Sequence, residues 1–141
     1  MFSLQRALPE DEEAVFILAR DLATSYEVDR AGFALAYPQV LASDHMCLTV
    51  AQTSGTIIGY VLGTSHATFY ANGNVAWVEE IMVRPDFRRK GVGKSLMENF
   101  EAWAASRQCR LVGLATRRAA DFYQSLGYAE SAAYSRKTIK A

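Results

Sequence analysis

Net charge, disulfide chemistry and long apolar runs are all missing from this sequence, and each absence removes a class of function. Fifteen basic and fifteen acidic residues cancel, so no overall field would recruit nucleic acid or an anionic membrane, and any basic site must be local. The only two cysteines, Cys47 and Cys109, stand apart in apolar surroundings. Without CxxC or Cys/His ligand spacing they suit neither a disulfide framework nor a metal site, and read as small core hydrophobes in a reducing compartment. His45 and His66 have no acid, serine or ligand partner at usable spacing and read as structural. No stretch approaches the ~18 apolar residues of a membrane span, and the first residues, Met1 to Asp11, carry no continuous apolar h-region. The expectation is a soluble, cytoplasmic protein with no metal, no nucleic-acid partner and no membrane contact.

What is present is one domain's worth of core. Half of the 141 residues are apolar, enough for a single domain over 1–141. Residues 2–7 alternate as a strand, and Pro9, Glu10 and Asp11 open a helix in which Val15, Leu18, Ala19 and Leu22 share a face, ending near Ser25. A weaker helical pattern covers 30–41, interrupted by Gly32 and Pro38. Strands at 47–52 and 57–65 flank a four-residue turn, Thr53 to Thr56. A second turn, 70–74, leads into a long strand over 75–83 that Pro85 stops. A helix runs from Gly91 toward Gln108, with Val92, Leu96, Phe100 and Trp103 along one stripe. A strand at 111–116, a short helix at 119–126 stopped by Gly127, and weaker strands at 128–134 and 136–139 finish the chain. The pattern predicts an α/β fold of the α+β type: a mixed, mostly antiparallel sheet of six or seven strands, flanked by about four helices. Only 75–83 and 111–116 are joined through a full helix, so those two are predicted to be parallel.

Between that strand and that helix stands Arg88-Arg89-Lys90-Gly91-Val92-Gly93. Unpaired N–H groups and the helix dipole favour an anion at such a place. Glycines let the backbone come close to phosphate oxygens, and three cationic side chains add charge-assisted hydrogen bonds. Two commoner phosphate motifs fail on count. A P-loop needs glycine where Arg88 stands, and the dinucleotide fingerprint needs glycine or alanine where Leu96 stands.

These residues resemble the GNAT superfamily of N-acetyltransferases, whose signature is Arg/Gln-x-x-Gly-x-Gly/Ala after a strand ending in an apolar-x-Val pattern. The chain supplies Glu79-Glu80-Ile81-Met82-Val83-Arg84-Pro85 before the loop, and Ala119-x-x-Phe122-Tyr123-x-x-Leu126-Gly127-Tyr128 is similar to the family's distal helix. Arg6-Ala7-x-Pro9-x-Asp11 resembles its opening. Matched segments span almost the whole chain in the family's order.

The resemblance implies a splayed parallel pair in the middle of the sheet, with acetyl-CoA as cosubstrate wedged between the strands. Ile81, Met82 and Val83 would hold the pantetheine arm, and a bulge near Met82 would let the Val83 N–H polarise the thioester. Arg88, Arg89, Lys90, Gly91, Val92, Gly93, Lys94 and Ser95 would cradle the pyrophosphate. Thr116, standing where relatives usually carry asparagine, would line the arm with Ala119 and Phe122. Glu79 or Glu80, on opposite faces of one strand, would relieve the amine of its proton, and Tyr123 would protonate the leaving thiolate. The implied activity is acetyl transfer to a primary amine of a small molecule or protein by direct attack in a ternary complex. The alternative is a non-catalytic acyl-CoA-binding or sensing module of the same fold. In relatives the acceptor groove draws on the first two helices and the connection into the long strand, here Tyr26, Asp29, Phe33, Tyr37, Phe69, Tyr70 and Trp77, with Asp44 as a second acid. Relatives often dimerise through their last strands, so a homodimer fits the resemblance.

Overall fold

The computed structural model describes residues 1–23 and 26–140. Ser25, where the first helix is expected to end, lies outside the described residues. Five strands form one sheet in chain order: β1 (Ser3–Arg6), β2 (Met46–Thr53), β3 (Thr56–Thr68), β4 (Gly73–Val83) and β5 (Val112–Leu114). Each pairs antiparallel with the next except β4 and β5, which are parallel as expected. Helices α1 (Glu12–Leu22), α2 (Arg30–Ala42), α3 (Val92–Ser106) and α4 (Ala120–Ser125) complete the fold.

Alternation along the strands sorts side chains onto two faces. Cys47, Ala51, Ile58, Val61, Ala76 and Val78 meet Val92, Leu96, Met97 and Phe100 of α3 and Tyr123 of α4. Leu48, Val50, Tyr60 and Met82 meet Val15, Leu18 and Ala19 of α1 and Tyr37 of α2. The sheet is therefore a middle layer with α3 and α4 on one side and α1 and α2 on the other. Arg30 ties the latter two together, reaching Glu12 at 3.0 Å and Glu13 at 3.1 Å with its guanidinium 5.0 Å from the Phe16 ring centre.

The mixed sheet and four helices agree with expectation; three details differ. The β2–β3 turn is the two residues Ser54 and Gly55, both at positive φ (50° and 78°). That geometry matches the strands' twist better than a longer turn. The helical pattern over 30–41 runs through Pro38 without a break. Pro38 withholds an N–H from the Ala34 carbonyl, and both residues are exposed, so water can take the bond. Finally, the strands expected at 128–134 and 136–139 are not formed among the described residues, so the sheet has five strands and its parallel pair lies at an edge. Residues 129–140 are exposed throughout. With no apolar face to bury, their alternation is not enough to add a strand.

Candidate active site

The site begins where β4 and β5 part. They pair only over Ala76–Val112, Trp77–Gly113 and Val78–Leu114. One residue later, the β3–β4 register slips: Gly63 faces Val78 and Leu62 faces Glu80, leaving Glu79 without a partner. The bulge expected near Met82 is therefore at Glu79. It reverses the alternation, because Ala76 and Val78 face α3 whereas beyond it Ile81 and Val83 do so and Met82 faces α1. Glu80 consequently lies on the α1/α2 face, where its Oε1 accepts from the Tyr60 hydroxyl at 2.6 Å. Glu79 is exposed, and its carboxyl is pushed above the usual range, first by partial burial and then by the Glu80 charge.

Past the bulge, the outer edge of β4 is open. Arg84 N donates to Ile58 O at 2.8 Å, which makes Arg84–Ile58 and, two residues back, Met82–Tyr60 the hydrogen-bonded pairs of the ladder. Ile81 and Val83 are the alternate pairs, so their N–H and C=O groups point away from β3, toward the gap left by β5. The Met82 backbone is committed to β3, and its side chain is buried on the α1/α2 face. Of the four open groups, the Val83 carbonyl is already taken by Arg88 Nε at 3.0 Å.

Three residues of short helix, Pro85–Phe87, turn the chain into the glycine loop. Arg89 (φ 61°) and Gly91 (φ 85°) both take left-handed backbone. Such alternating conformations turn successive N–H groups inward to form an anion nest. Gly91 is the N-cap of α3 and offers no side-chain cap. The Ser95 N–H is spent on Gly91 O at 3.0 Å, so the N–H groups of Val92, Gly93 and Lys94 are the uncapped ones. A Cβ at Gly91 would meet nothing within 4 Å, so conformation rather than space calls for glycine there. At Gly93 it would sit 3.3 Å from the Phe122 ring, so that glycine is there for packing against α4.

The three cations do not act alike. The Arg88 guanidinium folds back onto Val83 O through Nε and lies 3.7 Å from Met82 Sδ through Nη2, so only its remaining N–H groups are left to meet an anion. Lys90 Nζ stands 5.5 Å over the Phe87 ring. Among the described residues Arg89 has no ion pair.

Across the gap, Tyr123 on α4 is 8% exposed and packs edge-on against Phe122 and Tyr128. Burial pushes its phenol up, so it stays protonated well past neutral pH. Thr116 Oγ1 accepts from Ala119 N at 3.1 Å, shaping the entry to α4 and leaving its own proton to donate. The uncapped loop, the open end of β4 and α4 thus come together, with Gly93 beside both Phe122 and Val83.

The chain belongs to the GNAT family of acetyltransferases. Residues 11–128 match the sequence pattern of the Acetyltransferase (GNAT) family. The chain is 30% identical over 101 residues to the aminoglycoside N(6′)-acetyltransferase type 1 of Salmonella typhimurium, covering 66% of this chain and 69% of that protein. Its fold superposes on glucosamine-6-phosphate N-acetyltransferase from Arabidopsis thaliana with a TM-score of 0.86, at 21% identity and 99% coverage of both chains. It also superposes on AAC(6′)-Iy, captured with a CoA-based bisubstrate analogue, with a TM-score of 0.80, at 21% identity and 99% coverage of both. The protein is an acyltransferase, and no group of three metal-ligating side chains occurs among its described residues.

The residues expected in the acceptor groove of this GNAT protein separate into four groups. Phe33 packs on both Phe16 and Tyr37 inside the α1/α2 layer. Asp29 caps α2, accepting from Gly32 N at 2.8 Å. Phe69 and Tyr70 stand exposed at the β3–β4 turn, at the far end of β4 from the loop. Tyr26 and Trp77 remain, and the C-terminal segment touches both: Tyr134 stacks on Trp77 with ring centres 6.5 Å apart, and Thr138 Oγ1 lies 3.1 Å from the Tyr26 hydroxyl. Sequence reasoning missed this segment, Tyr60 and Gly63. Of these, only Gly63, a glycine inside a strand pattern, gave a sequence signal.

Proposed function

We propose that this enzyme transfers an acetyl group from acetyl-CoA to a primary amine of a small molecule or protein, by direct attack with both substrates bound. The observation that carries the proposal is the parting of β4 from β5 at the Glu79 bulge, with the open Ile81 and Val83 backbone leading to the uncapped start of α3. In this reading the Ile81 amide and carbonyl receive the pantetheine arm as if it were an added strand. The Val83 N–H faces the thioester carbonyl and favours the charge that develops there. The nest at Arg89 and Gly91 and the N–H groups of Val92, Gly93 and Lys94 take the pyrophosphate, with Arg89 and Lys90 adding charge. Ser95 completes the first turn of α3 beneath them, while Thr116, Ala119 and Phe122 form the α4 wall. Arg88 closes the top of the open edge and is displaced when the arm enters.

A typical primary amine, with a pKa near 10, is almost wholly protonated at neutral pH and must lose that proton before it attacks. Glu79 and Glu80 flank the point where the strands part and supply the acceptor. The raised carboxyl of Glu79 brings it nearer to working pH, which favours general-base catalysis. Tyr123, kept protonated by burial, returns a proton to the departing sulfur. The two free thiols, Cys47 and Cys109, suit a cytoplasmic setting.

A thiol-release assay with acetyl-CoA over a panel of amines and peptides tests the proposal, with calorimetry of coenzyme binding beside it. Gly91→Glu puts a strained residue and a negative charge at the nest and should abolish coenzyme binding. Tyr123→Phe should lower kcat by about 10²-fold while binding coenzyme normally. Normal coenzyme binding by Gly91→Glu would overturn the loop's role; full turnover by Tyr123→Phe would overturn the proton donor.

A further inference from the structure

Tyr60 is the largest fully buried side chain in the protein, 1% exposed in the middle of β3. Its neighbours on that face, Leu48, Val50, Met82, Val15 and Leu18, are apolar. Phenylalanine would fill the same space without burying a hydroxyl, which costs free energy unless it is bonded. The one partner is Glu80 Oε1, 2.6 Å away, on the diagonal of the ladder, since Tyr60 faces Met82 and Leu62 faces Glu80. Burial, reinforced by the Glu80 charge, pushes the phenol far above its ordinary range, so the hydroxyl keeps its proton and donates it to Glu80. Glu80 is on this face solely because the bulge at Glu79 reverses the alternation; a regular strand would turn it toward Leu96 and Phe100.

We infer that Tyr60 is a positioning residue: it clamps Glu80 Oε1 so that the free Oε2 meets the acceptor's ammonium group on the α1/α2 face of the cleft. The inference rests on the acetyltransferase reading above and deepens it by assigning the two acids different tasks. Glu80 receives and orients the cationic acceptor; Glu79, exposed and unclamped beside it, is left to take the proton. A clamp of this kind spares a half-buried carboxylate the entropy of being held by substrate alone. It acts through binding rather than through the chemical step.

The test measures thiol release with glucosamine 6-phosphate, neamine and a lysine-containing peptide as probe acceptors, for wild type, Tyr60→Phe, Glu80→Ala and the double variant. Tyr60→Phe should raise acceptor KM about tenfold, the scale of a hydrogen bond to a charged group, with kcat less affected. Calorimetric affinity for acetyl-CoA should stay within about twofold of wild type, which a loosened fold would not allow. The double variant should match Glu80→Ala, because the clamp has nothing left to hold. An unchanged acceptor KM in Tyr60→Phe, or a further loss in the double variant, overturns the clamp while wild-type turnover leaves the acetyltransferase reading standing. No thiol release by wild type with any probe overturns that reading, and the inference with it.

Discussion

Gly63 sits opposite Val78, immediately before the slip that creates the bulge, and a Cβ there would run into the Phe100 ring and stand 2.7 Å from the Trp77 carbonyl. Phe100 is wholly buried and has no room to yield. Gly63→Ala should therefore destabilise the protein by about 1–3 kcal/mol or more, read from urea unfolding. Turnover should fall with it, since the bulge sets where Glu79 and Glu80 point. Glu79 shows the opposite relation between stability and function. Its folded-state carboxyl is raised, so the native state prefers the protonated form. Stability is therefore lost as pH rises from the ordinary glutamate range toward the raised value, and stays lost above it. Glu79→Gln should raise Tm at neutral pH, with the gain vanishing as pH falls below the ordinary glutamate range. A thermal melt series over pH reads this directly. Residue identity made the acids of β4 visible in the sequence, but their different surroundings were not, because strict alternation places neighbours on opposite faces and says nothing of a bulge.

Among the elements, α3 was legible in its main stripe: Val92, Leu96 and Phe100 are buried after the glycine at its start, joined by Met97 and Ala104, while Trp103 is half-buried. The α2 helix was legible too, its weaker pattern over 30–41 matching Arg30–Ala42 almost residue for residue. It buries only Tyr37, whose hydroxyl donates to Leu8 O at 2.7 Å, and it carries a proline in its interior. With so little packing, local chemistry at its first turn matters more. The Asp29 side chain supplies that cap, so Asp29→Ala should cost about 1 kcal/mol. Hydrogen exchange should show the loss confined to α2, leaving α3 and the strands protected. β5 was shorter than its apolar pattern, three paired residues in place of six. A strand's length depends on its partner, and β4 bends away after Val78.

For the molecule as a whole, the C-terminal segment is the main departure from the sequence reading. Tyr134 remains 63% exposed while stacked on Trp77, and Ile139 is 90% exposed. None of residues 129–140 joins either core cluster or the sheet. A chain ending at Ala129 should therefore keep its fold, with Tm within a few degrees of the full chain, because surface losses are commonly within about 0.5 kcal/mol each. Coenzyme affinity should also be retained. Acceptor KM should change, since the segment touches Tyr26 and Trp77 beside the α1/α2 face. Tyr134→Ala should reproduce part of that change, and steady-state kinetics against both substrates separates the two effects.

The sequence alone determined the order of elements as far as α4, the parallel pair and the family, because each rests on local pattern: periodicity and glycine placement beside a helix start. Tertiary structure decided the rest. The slip at Glu79 depends on how β3 and β4 share hydrogen bonds, the freedom of the Ile81 and Val83 amides on which edge β5 leaves open, and the Tyr60–Glu80 bond on two strands meeting across a diagonal. Residues 129–140 bury no apolar face that would fix their path. They cross to Trp77 because the β-pattern of a polar, exposed segment carries too little buried area to hold it in the sheet.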